Sequence, residues 1–433
     1  MSFIKPKFYP YSSKIRGTKL SKNSPIEDFP QPKTVYIATS QHIGAPAIPV
    51  VVAGDYVKKG QLIAKENGLV SANIYSSISG TVKEIKNIIN GLGQSAEHIV
   101  IENDFKNESV SLPPLDSYDA SSLIERVRLA GIVGLGGAGF PTAVKLSPKN
   151  KLDTLIINGA ECEPYLTCDY RLMIERTDEV YRGIKYVASA LGVTNIVMGI
   201  ETNKPLAIEL FSRYPDFKIV KLKKRYPMGS EKQLIYCTTE RVVPVGKMPF
   251  DVGCSVQNIK TVLACHEAIE LNQPLTHTIV TVSGKGLKHP KNLRVPIGTA
   301  YSELIEYCGG YSDDTIKVVA GGPMMGKALI SLNQFTKKTD SGILCLTERE
   351  SQTEFPSNCI NCGMCARKCP MRLMPMYIES YAKAGNLKEA ERYGALNCME
   401  CGLCSYNCPA KRALLQGITK AKADIREMKK NGK

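Results

Sequence analysis

The sequence predicts a multidomain chain that combines α/β and α+β units. Three observations point there. Its 433 residues exceed what a single hydrophobic core supports. Between about residues 118 and 270, short runs of branched apolar residues alternate with helical periodicity, the pattern of a parallel sheet. The flanks differ from this middle. An N-terminal and a central stretch are β-rich and punctuated by glycine, whereas the segment from about residue 355 is cysteine-rich and made of helix formers.

Residues 1–34 hold five prolines and no periodic pattern, and are expected to run as an extended arm over the surface. Residues 35–115 read as short strands. "VVVAGDYVKKGQLIAKE" and "SISGTVKEI" alternate apolar residues with turn signals at Ala53-Gly54-Asp55 and Ser79-Gly80. Residues 116–270 are the α/β unit. It opens with a helix over "SSLIERVRLAGI", with Leu123, Val127 and Leu129/Ala130 at helical spacing and the serine pair as cap. "TLIING", "NIVMGIE" and "KIVKLK" read as buried strands, separated by "DEVYRGIKYVASALG", with Val180, Ile184, Val187 and Leu191 on one face, and by "KPLAIELFSRY". Ligands of such sheets sit beyond the carboxyl ends of the strands, which directs attention to the loop "NGAECEPY". Residues 271–338 return to β structure through "TIVTVSG", "LRVPIGT" and "IKVVAGGPMMG", with one helix "AYSELIEYC"; residues 339–433 are largely helical.

The cysteines carry the strongest chemical signal. Cys359, Cys362, Cys365 and Cys369 followed by Pro370 spell C-x2-C-x2-C-x3-C-P, and Cys398, Cys401, Cys404, Cys408 and Pro409 repeat it 39 residues later. Four thiolates in this run, written twice, fit two [4Fe-4S] clusters better than zinc, which needs only paired C-x2-C. In two-cluster ferredoxins the fourth cysteine of each run crosses over. Cys359, Cys362, Cys365 and Cys408 are then expected to hold one cluster, and Cys398, Cys401, Cys404 and Cys369 the other. Fifteen cysteines without an export signal favour metal or redox chemistry over disulfides, and the chain is expected to stay in the cytoplasm. No apolar run approaches the roughly 18 residues of a membrane span.

"GLGGAGFPTAVK", Gly134 to Lys145, matches G-x-G-x-x-G, but the dinucleotide fingerprint follows a strand and here a helix precedes it. With "NGAECEPY" downstream, the stretch resembles the flavin site of the NADH-oxidising subunit of respiratory complex I, whose loops read G-G-A-G-F-P-T and N-A-D-E-x-E-P. The pair "GDYVKKGQLI" and "SGTVKEI" resembles the barrel-sandwich hybrid of biotin and lipoate carriers, though the hairpin "ENGLVSANIYSS" has no lysine to modify. Residues 278–310 resemble the SLBB β-grasp fold. This module order, ending in two clusters, resembles the C subunits of Rnf-type ferredoxin:NAD oxidoreductase complexes.

That resemblance implies FMN, NAD(H) and two [4Fe-4S] clusters on a barrel-sandwich hybrid, a Rossmann-like flavin/NADH domain, an SLBB domain and a helical ferredoxin domain. It also implies site residues. Gly134, Gly136, Gly137 and Gly139 admit close backbone approach to phosphate and flavin, and Lys145 supplies positive charge. Phe140 offers a stacking face for adenine, and Asn158 a hydrogen bond to the flavin ring. Glu161 and Glu163 face the nucleotide; "YPMGSEKQ" contributes Tyr226, Gly229 and Glu231, and "SVQNIKT" contributes Asn258 and Thr261 toward the flavin phosphate. Ala160 and Ser230 stand where complex I has acidic residues.

The formal charge of +15 comes from basic residues spread along the chain, without an RNA-binding signature and without tryptophan, so no nucleic-acid partner is expected. It suits an acidic partner or an anionic membrane face, with "KAKADIREMKKNGK" the densest stretch. The expected setting is peripheral, on the cytoplasmic side of the cell membrane, bound through membrane and peripheral subunits that include a ferredoxin-like one. Two alternatives stay open: a soluble NADH-dependent donor to a cytoplasmic reductase, and a non-redox protein that binds zinc and a ligand.

Overall fold

The computed structural model describes residues 6–15, 17–351 and 354–431; the start of the expected arm and the last two tail residues lie outside them. The N-terminal module is a sandwich of two small antiparallel sheets. One aligns Thr34–Ala38, Ser95–Asn103, Gly80–Ile89 and Tyr56–Val57, and the other Ile48–Pro49, Leu62–Lys65 and Ile74–Tyr75. Val35, Ile37, Ile63, Ile74 and Ile99 fill the space between them, as strand alternation requires.

The α/β unit is a four-stranded parallel sheet in the order Lys218–Leu222, Asn195–Glu201, Thr154–Gly159, Cys254–Asn258. Thr154–Gly159 comes first in sequence yet lies inside the sheet, so the strand order reverses beside it and opens a crevice at its carboxyl end. The helix Thr177–Leu191 buries Val180, Ile184 and Val187 on one face, with Leu191 partly buried at its end. The helix Ala120–Leu129 does precede the glycines. Its cap is Asp119 rather than the serine pair: Asp119 accepts from the backbone N–H of Ser122 at 3.0 Å, and Ser117 and Ser121 bond to its carboxylate.

A six-stranded sheet follows, in the order Ile26–Asp28, Lys291–Pro296, His277–Ser283, Gly342–Thr347, Thr315–Ala320, Lys327–Ala328. Two of its strands depart from expectation. Gly342–Thr347, placed above with the cysteine-rich segment, pairs with His277–Ser283 and Thr315–Ala320, so the sheet runs past residue 338. All six of its residues are buried, which a central strand demands. Ile26–Asp28 belongs to the arm and pairs in parallel with Lys291–Pro296.

The arm is therefore a strap more than a surface cover. Lys7 bridges Leu222, Ser13 exchanges backbone hydrogen bonds with Tyr226, and the Tyr9 hydroxyl donates to the Pro370 carbonyl at 3.0 Å. These contacts tie the α/β unit to the C-terminal helices.

In the C-terminal unit Ile378, Ala390, Leu414, Ile418 and Ile425 form the core around the cysteines. Its sequence duplication extends to the backbone. Asn361 and Glu400, Gly363 and Gly402, and Arg372 and Lys411 occupy matching places in the two runs, and all six have positive φ.

One buried side chain links three modules. Lys338, from the β-grasp region, donates to the carbonyl of Asn73 in the sandwich at 2.6 Å and of Gly131, just before the glycine stretch, at 2.8 Å. Burial holds its ammonium down to about 7. The unfolded chain then binds a proton that the folded chain lacks above that pH, so this group's contribution to stability rises with pH from about 7 toward its ordinary value. Lys338→Met strands two buried carbonyls at about 1–3 kcal/mol each. Calorimetry should show a lower melting temperature, and the deficit relative to wild type should widen as pH rises from neutral toward the ordinary lysine range.

Candidate functional site

The glycine stretch closes on itself. Gly134 N–H donates to the Phe140 carbonyl at 2.9 Å, and Leu135 N–H donates to Thr261 Oγ1 at 3.0 Å, which pins the loop over the helix Ile259–Glu270. The glycines serve different needs. A Cβ on Gly136 would lie 2.5 Å from the Asn258 side chain; Gly139, at φ +76°, would meet Thr339 Cγ2 at 2.9 Å and the Gln41 carbonyl at 3.2 Å. Gly137 has nothing within 4 Å. Close approach at Gly136 and Gly139 is thus to protein, whereas Gly137 faces open space. The N–H groups of Gly136, Gly137, Ala138 and Gly139 gather in one tight turn on the cavity wall. A glycine turn that gathers N–H groups on a cavity wall fits a phosphate.

This loop, the loop after Thr154–Gly159, residues 226–231 and the end of Cys254–Asn258 surround a cavity of about 460 Å³ at the crevice. All fourteen residues expected at the flavin and nucleotide line it. Several are engaged with one another. Lys145 Nζ pairs with Glu231 at 2.8 Å, so its charge is shared. Asn158 Nδ2 donates to the Gly229 carbonyl at 2.7 Å, and Asn258 Nδ2 to Asp169 at 2.8 Å. Glu161 accepts from Asp169 N–H at 2.7 Å at the start of the helix Cys168–Glu175, and Glu163 from Met324 and Met325 N–H at 3.1 and 2.9 Å. Burial pushes both carboxyls up to about 7, against the opposing pull of Lys19 on each. Phe140 remains 37% exposed, with a ring face available for stacking.

Lys19 is a residue that no motif signalled. From the arm it donates to the carbonyls of Glu161 at 3.1 Å, Glu163 at 2.9 Å and Leu166, holding the loop between them. Asp169 and Met399 also line the cavity without any prior signal. Cys162 and Cys168 reach it too; burial pushes both thiols up to about 12, in keeping with packed side chains rather than ligands.

The cysteine runs cross. Cys359, Cys362 and Cys365 line a recess with Cys408 from the other run, next to Met376 and Arg412. Cys369 lies within electrostatic reach of Cys398, Cys401 and Cys404. No disulfide joins these thiols, and N–H groups of Leu373 and Glu400 point at Cys369 Sγ and Cys398 Sγ at 3.3 and 3.4 Å. Four thiolates per set with N–H···S bonds fit cubane clusters. The second set is the inner one. Tyr226 donates its hydroxyl to the Cys401 carbonyl at 2.8 Å, and Tyr226, Met324, Cys401, Cys162 and Met399 pack together beside the cavity.

Family models match along the chain in this order: the "RnfC Barrel sandwich hybrid domain" at residues 13–106, the "Nuo51 FMN-binding domain" at 127–267, the "SLBB domain" at 279–328 and the "4Fe-4S dicluster domain" at 358–412. Over 94% of its length the chain is 46% identical to the C subunit of the proton-translocating ferredoxin:NAD(+) oxidoreductase complex of Clostridium ljungdahlii, covering 92% of that protein. It belongs to the C-subunit family of these ion-translocating complexes.

Other members of the family are close as well. The C subunit of the ion-translocating oxidoreductase complex of Rhodobacter capsulatus is 43% identical over 97% of this chain and 85% of its own, and the Na(+)-translocating counterpart of Acetobacterium woodii is 40% identical over 93% of each. The fold is shared with an NAD+-reducing [NiFe]-hydrogenase in the H2-reduced state, at a TM-score of 0.52 and 16% identity over 72% of this chain and 65% of that one. The dicluster match sets aside the zinc alternative.

Crossed ligation has a direct check. Cys369→Ala should damage the inner cluster, otherwise held by Cys398, Cys401 and Cys404, and leave the one completed by Cys408. Electron paramagnetic resonance and Mössbauer spectra that show loss of the Cys359 set instead would refute the pairing.

Proposed function

We propose that this chain exchanges a hydride between NAD(H) and FMN in the cavity and passes single electrons through the inner and then the outer [4Fe-4S] cluster. It does so as a peripheral member of a membrane-bound Rnf-type ferredoxin:NAD oxidoreductase that drives ion translocation. The observation that carries this reading is the contact between cavity and inner cysteines. Tyr226 and Met399 line the cavity, and both pack against Cys401.

FMN, when bound, supplies the conversion between two-electron and one-electron transfer. The chain's own groups bind and orient. The N–H groups of the turn at residues 136–139 receive phosphate, and Lys145 with Glu231 sets the charge at the cavity edge. Phe140 presents its ring to the nucleotide base. Burial raises Glu161 and Glu163 to about 7, so each carries only part of its charge near neutral pH, which limits repulsion of the nucleotide's phosphates.

Cys359 and Cys362 are exposed, so the outer set is where electrons enter or leave the protein. The net charge of +15 favours an acidic, ferredoxin-like partner there. No helix among the described residues is long and apolar enough to cross a membrane, and partner subunits supply the attachment, at the cytoplasmic face. Identity that spans nearly the whole chain of such complex members weighs against a soluble donor.

Anaerobic addition of NADH to the loaded protein should bleach flavin and cluster absorbance together; bleaching by dithionite but not by NADH would sink the reading. Phe140→Ala should weaken NADH binding several-fold to about tenfold, since an aromatic stack contributes roughly 0.5–1.5 kcal/mol. The variant should retain FMN and about eight irons per chain. Loss of FMN with unchanged NADH affinity would place the flavin, not the nucleotide, over Phe140.

A further inference from the structure

The loop that follows Thr154–Gly159 has two faces. One lines the flavin cavity. The other closes a separate cleft of about 220 Å³ between the arm, the helix Cys168–Glu175 and the turn after Asn195–Glu201. Glu161 belongs to both walls. An adjoining recess shares Gly17, Lys19, Glu161, Asn203 and Lys224 with this cleft and adds Glu201 and Arg225.

The charges around this space do not balance. Five cations, Lys19, Lys22, Lys204, Lys224 and Arg225, face two carboxylates. Both carboxylates are taken: Glu201 by Lys204 at 2.9 Å, and Glu161 by the helix N–H and by Lys19 at 3.7 Å. Among the described residues, Lys22, Lys224 and Arg225 have no ion-pair partner. Lys22 is nonetheless held in place, 5.4 Å from the centre of the Tyr170 ring and bonded to the Asn203 carbonyl at 3.4 Å. Asn203 Oδ1 is buried without a donor. Arg225 lines only the adjoining recess, where it donates to the Ser12 carbonyl at 3.0 Å and lies 4.7 Å from the centre of the Phe8 ring. Lys22 and Lys224 share the cleft wall and repel each other unless an anion joins them.

We infer that this cleft binds a small anion of the phosphate class, with Lys22 and Lys224 supplying charge and Asn203 Oδ1 accepting from its acidic hydroxyl. The cleft has less than half the volume of the flavin cavity, which suits a phosphate, pyrophosphate or small phosphate ester and excludes a dinucleotide. Its position beyond the carboxyl end of a parallel strand is where such folds place anionic ligands. The inference does not rest on the flavin assignment.

The test is calorimetric titration of inorganic phosphate and of pyrophosphate into the FMN- and cluster-loaded protein, kept anaerobic with saturating NADH so that the nucleotide cavity is occupied. One site per chain is expected. Lys22→Gln combined with Lys224→Gln should weaken binding about tenfold or more, because each lysine makes a charge-assisted contact. Flavin content, iron content and melting temperature should stay as in the wild type. Absence of binding below about 10 mM, or binding that the double substitution leaves unchanged, overturns the inference. So does binding seen without NADH and abolished by it, which would place the anion in the flavin cavity.

Discussion

The ammonium of Lys338 donates to the carbonyls of Asn73 and Gly131 at a point where no helix or strand reaches them. The rest of the site depends on this kind of contact. A cavity walled by loops presents buried backbone carbonyls that regular structure cannot pair, and each must find a donor. Here the donors are buried lysines. Lys338 fixes the entry to the glycine stretch, Lys19 collects three carbonyls of the loop at residues 161–166, and Lys204 bonds to the Ala160 carbonyl at 2.6 Å and to Glu201. Each brings a desolvation cost, which is offset only while its hydrogen bonds are complete. Cavity shape and domain arrangement are therefore coupled. Lys338 and Lys19 reach the α/β unit from the β-grasp region and the arm, so neither loop is fully supported without its neighbours.

That coupling explains what the glycines are for. Gly136 and Gly139 lie where Asn258, Thr339 and Gln41 press against the stretch, and a side chain at either place would push these partners apart. The packing from behind fixes the turn of residues 136–139 on the cavity wall. A turn held only by its own closing bond would have more freedom; this one is clamped from three modules. Preorganised donors of this kind lose little freedom when an anion binds.

Features with a local spacing rule were legible in the sequence. The cysteine runs, three of the four parallel strands and the helix ahead of the glycines follow from periodicity or fixed intervals, and the family resemblance added the cavity residues; the fourth strand, Cys254–Asn258, was not read from its sequence. What escaped lacks local pattern. Lys19 and Lys338 are single lysines in unremarkable surroundings, and only the tertiary fold buries them. The arm shows no periodicity because, among the described residues, it pairs only through isolated bridges, at Lys7 and Ser13, and one short strand, Ile26–Asp28. Gly342–Thr347 is a continuous apolar run whose partners lie about 30 and 60 residues upstream, and proximity to the first cysteines masked its membership of the sheet. Lys145 and Glu231 each read as a ligand-facing charge, whereas their ion pair required the fold.

The duplicated cluster unit shows how one ligand pattern yields two unlike centres. Backbone conformation is repeated down to the left-handed residues, so the thiolates of both sets are held alike. The differences lie around them. Leu373 follows the last cysteine of the first run by four residues; its counterpart in the second is Arg412, which borders the outer recess and pairs with the fully buried Glu379. Asn361 of the first run corresponds to Glu400, which pairs with Lys422, and Lys422 also donates to the Cys398 carbonyl at 2.7 Å. Exposure differs as well: two thiols of the outer set reach solvent, whereas those of the inner set are buried or partly so. Cluster potential responds to nearby charge, hydrogen bonding and solvent, so equal ligation leaves these non-cysteine positions to set any difference between the two centres. Any difference in potential between the two centres is then written where the repeats diverge, and the cysteines themselves carry none of it.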